Sequence, residues 1–488
     1  MSPTSPQDTR KGFALFLLAA AQFVVVLDAS IVNVALPSMG RDLDIAPENL
    51  SWVINAYTLV FGGFLLLGGR MADLLGRRRM FMAGLLLFAL ASLAGGLAAT
   101  EGQLITARAV QGLGGALLSP AALSIITMLF AEGKERNKAL GVWGAVAGSG
   151  GAVGVLLGGI LTDQLGWEWV LFVNVPVCLA LVAMIPGVLP ESRTDGDRRF
   201  DAAGAFTVTA GVALLVYALV DAPSAGWGSS QTIGLGIGAL LVLAAFVAIE
   251  SRSKAPLVPF SIFKNRTLTG ANVTAVLVAM SLFSMFYFIT LYMQFVLGYD
   301  ALKAGLAYLP LSAGIIISAG VASVMTTKLG FKPTLVFGLV LVAIGLAWFS
   351  QISPDGTYVG DVLFPSIVAA LGLGFSFVPL TIASVTGVRS HEAGLASGLI
   401  NTSQQVGGAL GLGILVAIAN SYIADAGGAP GRPDPVALSD GFSAAFLTGS
   451  AFAVLGAILA ATVISTKDSR EAREAAQRGD DVMAPAAG

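Results

Sequence analysis

The sequence predicts an all-α membrane protein with fourteen transmembrane helices: two pseudo-symmetric six-helix bundles plus two inserted central helices. Composition, recurring apolar segments and an internal repeat support this prediction. Of the 488 residues, 56% are hydrophobic and only 11% are charged, and the mean hydropathy is +0.82. Because soluble domains carry about 25% charged residues, this composition excludes a soluble globular protein.

Each predicted span is an apolar segment close to or above the roughly 20 residues that cross a bilayer as a helix. The first span is too long for a signal-peptide core and no small-residue cleavage site follows it, so we expect it to be retained. The fourteen spans lie at about 13–36, 51–69, 80–99, 103–128, 139–162, 168–189, 201–221, 231–250, 269–297, 303–327, 333–351, 359–387, 394–422 and 442–465.

The distribution of lysine and arginine predicts the orientation. With a cytoplasmic amino terminus, 23 of the 27 basic residues lie inside, while Arg41, Lys303 and Arg432 lie outside and Arg108 lies within the membrane. This bias supports an even number of spans and two cytoplasmic termini. The formal net charge of -2 therefore says little about partners, because the basic residues are distributed by side of the membrane and not gathered in one patch. No nucleic-acid surface is visible in the sequence.

Glycine-containing patterns recur along the chain. Gly76 recurs at an offset of 254 as Gly330, and the Gly112-Leu113-Gly114 run recurs at 260 as Gly372-Leu373-Gly374. The Gly150-Gly151-Ala152 run recurs at 257. These matches predict an N-terminal six-helix bundle at 1–190, a linker with two additional helices at 191–268, a C-terminal six-helix bundle at 269–465 and a cytoplasmic tail at 466–488.

A compact charged run follows the second span. It contains an aspartate and four arginines between two apolar segments. Because arginine costs roughly 2.5 to 3.5 kcal/mol at the centre of a membrane helix, this run belongs at the water interface. Its pattern is Gly69-x-Met71-Ala72-Asp73-x-x-Gly76-Arg77-Arg78.

This pattern, with three other motifs and a glycine-rich fifth span, resembles the major facilitator superfamily over nearly the whole chain. The inserted pair makes the chain similar to the fourteen-helix drug:proton antiporters. The resemblance implies multidrug efflux and antibiotic resistance: lipophilic, often cationic compounds leave in exchange for protons across a bacterial inner membrane by alternating access. The other motifs are Leu27–Pro37, Arg108–Gly114 and Ser397–Gly408.

The resemblance assigns a cytoplasmic gate to the charged run. Its residues would be Gly69, Asp73, Gly76 and Arg77, with Arg78 beside them. An ion pair at the interface, worth about 1 kcal/mol or less, can separate when the two halves move. Asp73 lies four residues before Arg77, and we expect it also to pair with the end of a second-half helix.

Asp28 is an acidic residue deep within a predicted span, and Arg108 lies at a comparable depth in span 4. An unpaired carboxylate there favours its protonated form, whereas a nearby guanidinium favours the ionised form. Movement between these arrangements would load and release a proton. We predict that both residues couple proton flow; a structural carboxylate and an arginine that reaches the interface are the alternatives.

Span 5 carries a stripe of small residues, Gly150, Gly154 and Gly158, followed by Gly159. Such a stripe lets helix backbones approach closely. We expect this stripe to pack against the second half and to support antiport. The antiporter signature of the family usually has proline where this chain has Val155.

Substrate contacts are predicted from polar and aromatic residues within the spans, since a wide apolar cavity with a few polar groups suits many lipophilic compounds. The candidates are Asn33, Asn55, Gln111, Tyr287, Tyr292, Gln294, Asn401, Gln404 and Gln405.

No enzyme, metal or cofactor is predicted. Cys178 and His391 are the only residues of their types, and His391 is expected in the loop between spans 12 and 13. The expected partners are a small lipophilic substrate, protons and the lipid bilayer, with a functional monomer. Two alternatives stay open: an exporter dedicated to one natural product, and an uncoupled metabolite facilitator.

Overall fold

The computed structural model describes residues 6–45, 50, 52–131, 133–192, 201–253, 256–389, 392–425 and 434–478. Within these ranges the chain is helical, with no strand. His391, Arg432 and the last ten residues of the predicted tail lie outside the described residues.

Seventeen α-helices make up the described part of the chain. Their bounds are α1 Pro6–Asp42, α2 Trp52–Leu75, α3 Arg77–Gly96, α4 Glu101–Leu129, α5 Lys134–Gln164, α6 Trp169–Phe172, α7 Asn174–Val188, α8 Ala202–Ala225, α9 Ser230–Glu250, α10 Arg266–Leu291, α11 Ala301–Ala307, α12 Leu309–Leu329, α13 Phe331–Phe349, α14 Phe364–Val385, α15 Ala393–Asp425, α16 Pro435–Val463 and α17 Thr466–Arg478. A 3-10 turn covers Phe260–Lys264, and π-helical turns cover Tyr292–Val296 and Tyr358–Leu363.

Twelve helical segments in the described ranges are long and apolar enough to cross a membrane. Two other predicted spans fall on α5 and α8, where the apolar stretches Val153–Gln164 and Ala203–Leu219 are shorter. Predicted span 6 is divided into α6 and α7. The chain is thus a multi-pass helical membrane protein.

Tight glycine turns separate the helices that follow each other at the charged run and at its repeat. Gly76, between α2 and α3, has φ 112°, and Gly330, between α12 and α13, has φ 94°. Positive φ values favour glycine, because a Cβ would clash with the backbone there. The predicted correspondence of these two turns therefore has a physical basis.

The two halves repeat the same packing pattern. In the first half α4 packs against α2 and α3, and in the second half α14 packs against α12 and α13. A Cβ on Gly114 would lie 3.0 Å from the Gly84 carbonyl oxygen, and one on Gly372 would lie 2.8 Å from that of Gly338. The paired glycines therefore let α4 approach α3, and α14 approach α13, closely in each half.

The inserted helices α8 and α9 pack against each other, and α8 lies against α2 of the first half and α15 of the second. Trp52 stacks on Tyr217 of α8 with ring centroids 5.5 Å apart. This position puts the inserted pair beside a contact between the halves.

The first part of the predicted tail forms α17, which packs beneath α12 and α13. Ser469 Oγ accepts a hydrogen bond from the Lys332 amide at 3.1 Å. A Cβ on Gly133, in the turn before α5, would lie 2.7 Å from Ala476 Cα. Helix α17 therefore contacts both halves at one end of the molecule.

Candidate functional site

A buried polar cluster lies within the first bundle, centred on Asp28 of α1. The carboxylate is 0% exposed. Its Oδ2 accepts a hydrogen bond from Arg108 Nη1 of α4 at 2.5 Å. Its Oδ1 accepts from Gln111 Nε2 and Asn174 Nδ2, both at 2.8 Å. The Asp28 carboxylate thus accepts hydrogen bonds from one cationic and two amide donors, which offset the loss of its hydration.

Arg108 is also held on several sides. Its Nε donates to the Val53 carbonyl of α2 at 3.1 Å, and its Nη1 donates to Gln111 Oε1 at 2.6 Å. The guanidinium carbon lies 4.5 Å from the centroid of the Tyr57 ring. The side chain is 1% exposed, so it stays in the core and does not extend to the interface.

Sequence reasoning brought Asp28 and Arg108 together but missed Ser92 and Asn174. Ser92 Oγ accepts from Gln111 Nε2 at 3.2 Å and from Asn174 Nδ2 at 3.1 Å. Asn174 is the first residue of α7, directly after the break that separates α6 from α7. A polar residue beside an interruption in an apolar span was the available signal for it.

The glycine stripe of α5 packs within its own bundle, so the expectation that it packs against the second half is wrong. A Cβ on Gly158 would lie 2.8 Å from the Ile31 carbonyl oxygen, and one on Gly150 would lie 2.7 Å from Val26 Cγ1. A Cβ on Gly154 would clash with Ser30. The stripe therefore lets α5 pack closely against the stretch of α1 that carries Asp28, because glycines permit close approach of the helix backbones.

The second half meets α5 at other positions. A Cβ on Gly159 would lie 3.9 Å from Leu302 Cα of α11, an ordinary contact. Asn137 Nδ2 donates to Thr327 Oγ1 at 3.1 Å, and Ser323 Oγ donates to the Asn137 carbonyl at 2.8 Å. Polar contacts near the start of α5 therefore join it to α12.

The charged run after the second span contacts the second half directly. Asp73 is buried in α2, and its Oδ1 accepts from Arg77 Nη2 at 2.8 Å. The amides of Gly394 and Leu395 donate to Asp73 at 3.3 and 3.2 Å. Because these amides belong to the first turn of α15, the carboxylate lies at the positive end of that helix. A Cβ on Gly394 would lie 2.5 Å from the Gly69 carbonyl oxygen, so the backbones touch.

Glu191 fixes the rest of the charged run to the end of the first bundle. Its Oε1 accepts from the Arg78 amide at 3.2 Å, and the Arg78 guanidinium donates to the Leu189 carbonyl at 3.1 Å. The amide of Arg77 donates to the Ser192 carbonyl at 2.9 Å, and its guanidinium also contacts Met128 Sδ. Sequence reasoning missed Glu191, which lies more than a hundred residues away.

The substrate candidates occupy varied positions. Gln111 belongs to the Asp28 cluster, and Tyr292 is buried with its hydroxyl donating to the Ser353 carbonyl at 2.8 Å. Neither side chain is open to a ligand in this arrangement. Four candidates in α2, α15 or the turn after α10 are half-buried: Asn55, Gln294, Gln404 and Gln405. Two more are exposed: Asn33 and Tyr287.

Two candidates on α15 lie near the interface between the halves. Asn401 is half-buried and its Nδ2 donates to the Ser397 carbonyl at 2.8 Å. Gln405 approaches α2, since its Cβ lies 3.6 Å from the position a Cβ on Gly62 would take. In the described ranges, no group of three or more His, Cys, Asp or Glu side chains is placed to hold a metal ion.

The apolar helices and the buried ion pair define a multi-pass helical membrane protein with ionisable residues in its interior. The model of the Major Facilitator Superfamily matches residues 18–412, and the chain belongs to that family. It is 41% identical to the puromycin resistance protein Pur8 of Streptomyces alboniger, over 94% of this chain and 92% of that protein. It is 40% identical to the cephamycin export protein CmcT of Amycolatopsis lactamdurans, over 93% of each chain.

The fold is also that of a solved human transporter. The organic anion transporter MFSD10 superposes with a TM-score of 0.66, covering 94% of this chain and 100% of that one at 13% identity. At this identity the likeness shows the fold alone. The family model and the two relatives confirm, at the level of the family, the resemblance predicted from the motifs, and the chain is a transporter.

Proposed function

We propose that this protein exports lipophilic, often cationic drugs or toxic compounds from a bacterial cell in exchange for protons. The observation that carries the proposal is the buried ion pair between Asp28 and Arg108, within a two-bundle fold of a transporter family. Ionisable residues inside membrane bundles are costly and mark proton or substrate pathways. Relatives aligned over more than nine tenths of the chain are named for puromycin resistance and cephamycin export, which supports drugs as the cargo.

The proposed topology has fourteen transmembrane helices. Helices α5 and α8 join the twelve longer spans, because each continues its apolar stretch within a helix of at least 24 residues. The lysine and arginine distribution supports cytoplasmic termini. The contact between Asp73 and the start of α15 then lies on the cytoplasmic side, as does α17. A functional monomer in the inner membrane remains part of the proposal.

Coupling would follow from competition at Asp28. In the arrangement described, Arg108, Gln111 and Asn174 supply the donors that a charged carboxylate needs. Protonation removes the charge and weakens all three hydrogen bonds, which frees Arg108 to move. A cationic substrate that enters would compete with the proton for the same carboxylate, since one negative charge cannot satisfy both. Export against proton entry is the result.

The gate would act at the other end of α2. Asp73 joins α2 to the first turn of α15, and the backbones of Gly69 and Gly394 touch there. Opening toward the cytoplasm would require these hydrogen bonds to break, and closing would restore them. In the arrangement described the cytoplasmic gate would therefore be shut.

The test is transport of a fluorescent lipophilic cation in proteoliposomes with an imposed pH gradient. We expect gradient-driven transport by the native chain, its loss in Asp28→Asn, and its retention in Asp355→Asn, which alters an exposed aspartate. Transport that ignores both the gradient and Asp28→Asn would instead establish an uncoupled facilitator. That result would refute the proposal.

The second candidate is an exporter dedicated to one natural product. It is favoured because the two relatives reported above are each named for a single antibiotic. Its proton chemistry would be the same, so only the breadth of substrates separates it from multidrug export. A competition panel that includes puromycin, a cephamycin and unrelated lipophilic cations distinguishes them. Inhibition of transport by one compound alone would support the dedicated exporter.

A further inference from the structure

Two carboxylates meet where the inserted helices begin and end. Asp201 precedes α8, and its Oδ1 accepts a hydrogen bond from the Gly204 amide at 2.7 Å. Glu250 is the last residue of α9; it is 3% exposed, and its Oε1 accepts from the Val258 amide at 2.5 Å. Asp201 Oδ2 and Glu250 Oε2 are also buried, yet neither has a hydrogen-bond partner.

The two unpartnered oxygens point toward the same place. Glu250 Oε2 lies 2.6 Å from the position a Cβ on Gly204 would take, and Asp201 Oδ2 lies 3.1 Å from that position. Two ionised carboxylates that converge on one glycine repel each other, and the donors that face Glu250 in the described ranges are the backbone amides of Val258 and Leu257. A single proton bound by the pair removes the repulsion, because one of the two carboxyl groups is then neutral.

The helix ends do not offset this repulsion fully. The amide of Gly204 at the start of α8 satisfies one oxygen of Asp201, but Glu250 lies at the carboxyl end of α9, where the helix dipole disfavours a negative charge. The charged groups that face Glu250 are Asp201 and Arg70 of α2. Arg70 forms no ion pair with Glu250, and among the described residues no other cation pairs directly with either carboxylate.

We propose that Asp201 and Glu250 form a second proton-binding site, in which the pair of carboxyl groups binds one proton. This site is separate from the Asp28 cluster. Arg70 faces Glu250, and Val53 contacts Arg108 of the Asp28 cluster. These two residues are 17 positions apart on α2, or about 25 Å along the helix.

This second site lies beside the contact between the halves. Arg70 also faces Asp73, and Val258 belongs to the same apolar cluster as Leu395 at the start of α15. Loss of the shared proton adds a negative charge facing Arg70, next to the α2–α15 contact. The assignment deepens the proposed proton coupling and rests on it for its role in transport, but proton binding itself is measurable without transport.

The experiment is infrared difference spectroscopy of the full chain in lipid, titrated with acid and base. A protonated carboxyl group gives a C=O stretching band that a carboxylate lacks. We expect Glu250→Gln to remove one component of this band at neutral pH. Asp201→Asn, which removes the repulsion, should reduce that component at least about twofold. Glu471→Gln, which alters a side chain 59% exposed, should leave the band unchanged.

Both test variants keep the local hydrogen bonds. Glutamine at 250 still accepts from Val258, and asparagine at 201 still caps α8. A band identical in the native chain and in Glu250→Gln would overturn the proposal. So would a band at this site that responds to added sodium ions and not to pH. If the native chain shows the Glu250 component of the C=O band but no gradient-driven transport, only the proposed function is contradicted.

Discussion

The Asp28–Arg108 pair offers a quantitative test of the polar cluster. Removing one partner of a buried ion pair leaves an uncompensated charge and costs about 3 to 5 kcal/mol, whereas removing both can be close to neutral. We therefore expect Asp28→Asn and Arg108→Gln each to destabilise the first bundle. The double variant should recover most of the loss, which corresponds to a coupling free energy of about 5 kcal/mol.

The chain contains its own reporter for this measurement. Cys178, the single cysteine, is 0% exposed on α7. A thiol reagent can reach it only when the bundle opens locally, so the labelling rate follows the opening equilibrium. Because 1.36 kcal/mol is a factor of ten, a loss of about 3 kcal/mol raises the labelling rate roughly 100-fold.

The comparison with the double variant decides the outcome. Labelling in Asp28→Asn plus Arg108→Gln should fall back to within about tenfold of the native rate. Asp355→Asn should label at the native rate, since that residue is exposed. If the effects of the two single changes simply multiply in the double variant, the two charges are not energetically coupled. The proposed role of the pair would then be refuted.

Three further outcomes follow from the packing. Gly158→Val should lower the melting temperature by several degrees, because the valine side chain would meet α1. Gly151→Ala should leave the melting temperature unchanged, since nothing lies within 4 Å of the Cβ position at Gly151. A thermal melt of the purified variants compares the two. Asp73→Asn weakens the hydrogen bonds at the start of α15. In a chain that also carries Ser397→Cys, at a buried position, thiol labelling from the cytoplasmic side should then be several-fold faster. An unchanged labelling rate would contradict the gate. Deleting α17 from residue 466 onward should raise the same labelling rate, because α17 contacts both halves.

Much of the fold was predictable because a membrane helix must satisfy its own backbone hydrogen bonds, which makes each span a local, length-limited pattern. The apolar segments follow from that rule, and the turns at Gly76 and Gly330 follow from the positive φ that favours glycine. The meeting of Asp28 and Arg108 was also predictable, since two opposite charges at similar depth gain by pairing. These features depend on position along the chain and on depth in the bilayer.

Only the tertiary structure decided which face of each helix meets which neighbour. These helices are apolar around most of their surface, so the sequence carries little information about rotation about the helix axis. For this reason the glycine stripe of α5 was assigned to the wrong partner, and Asn174 was not connected to Asp28. The contact between Asp201 and Glu250 likewise depends on how α8 and α9 pack together, which no local pattern specifies.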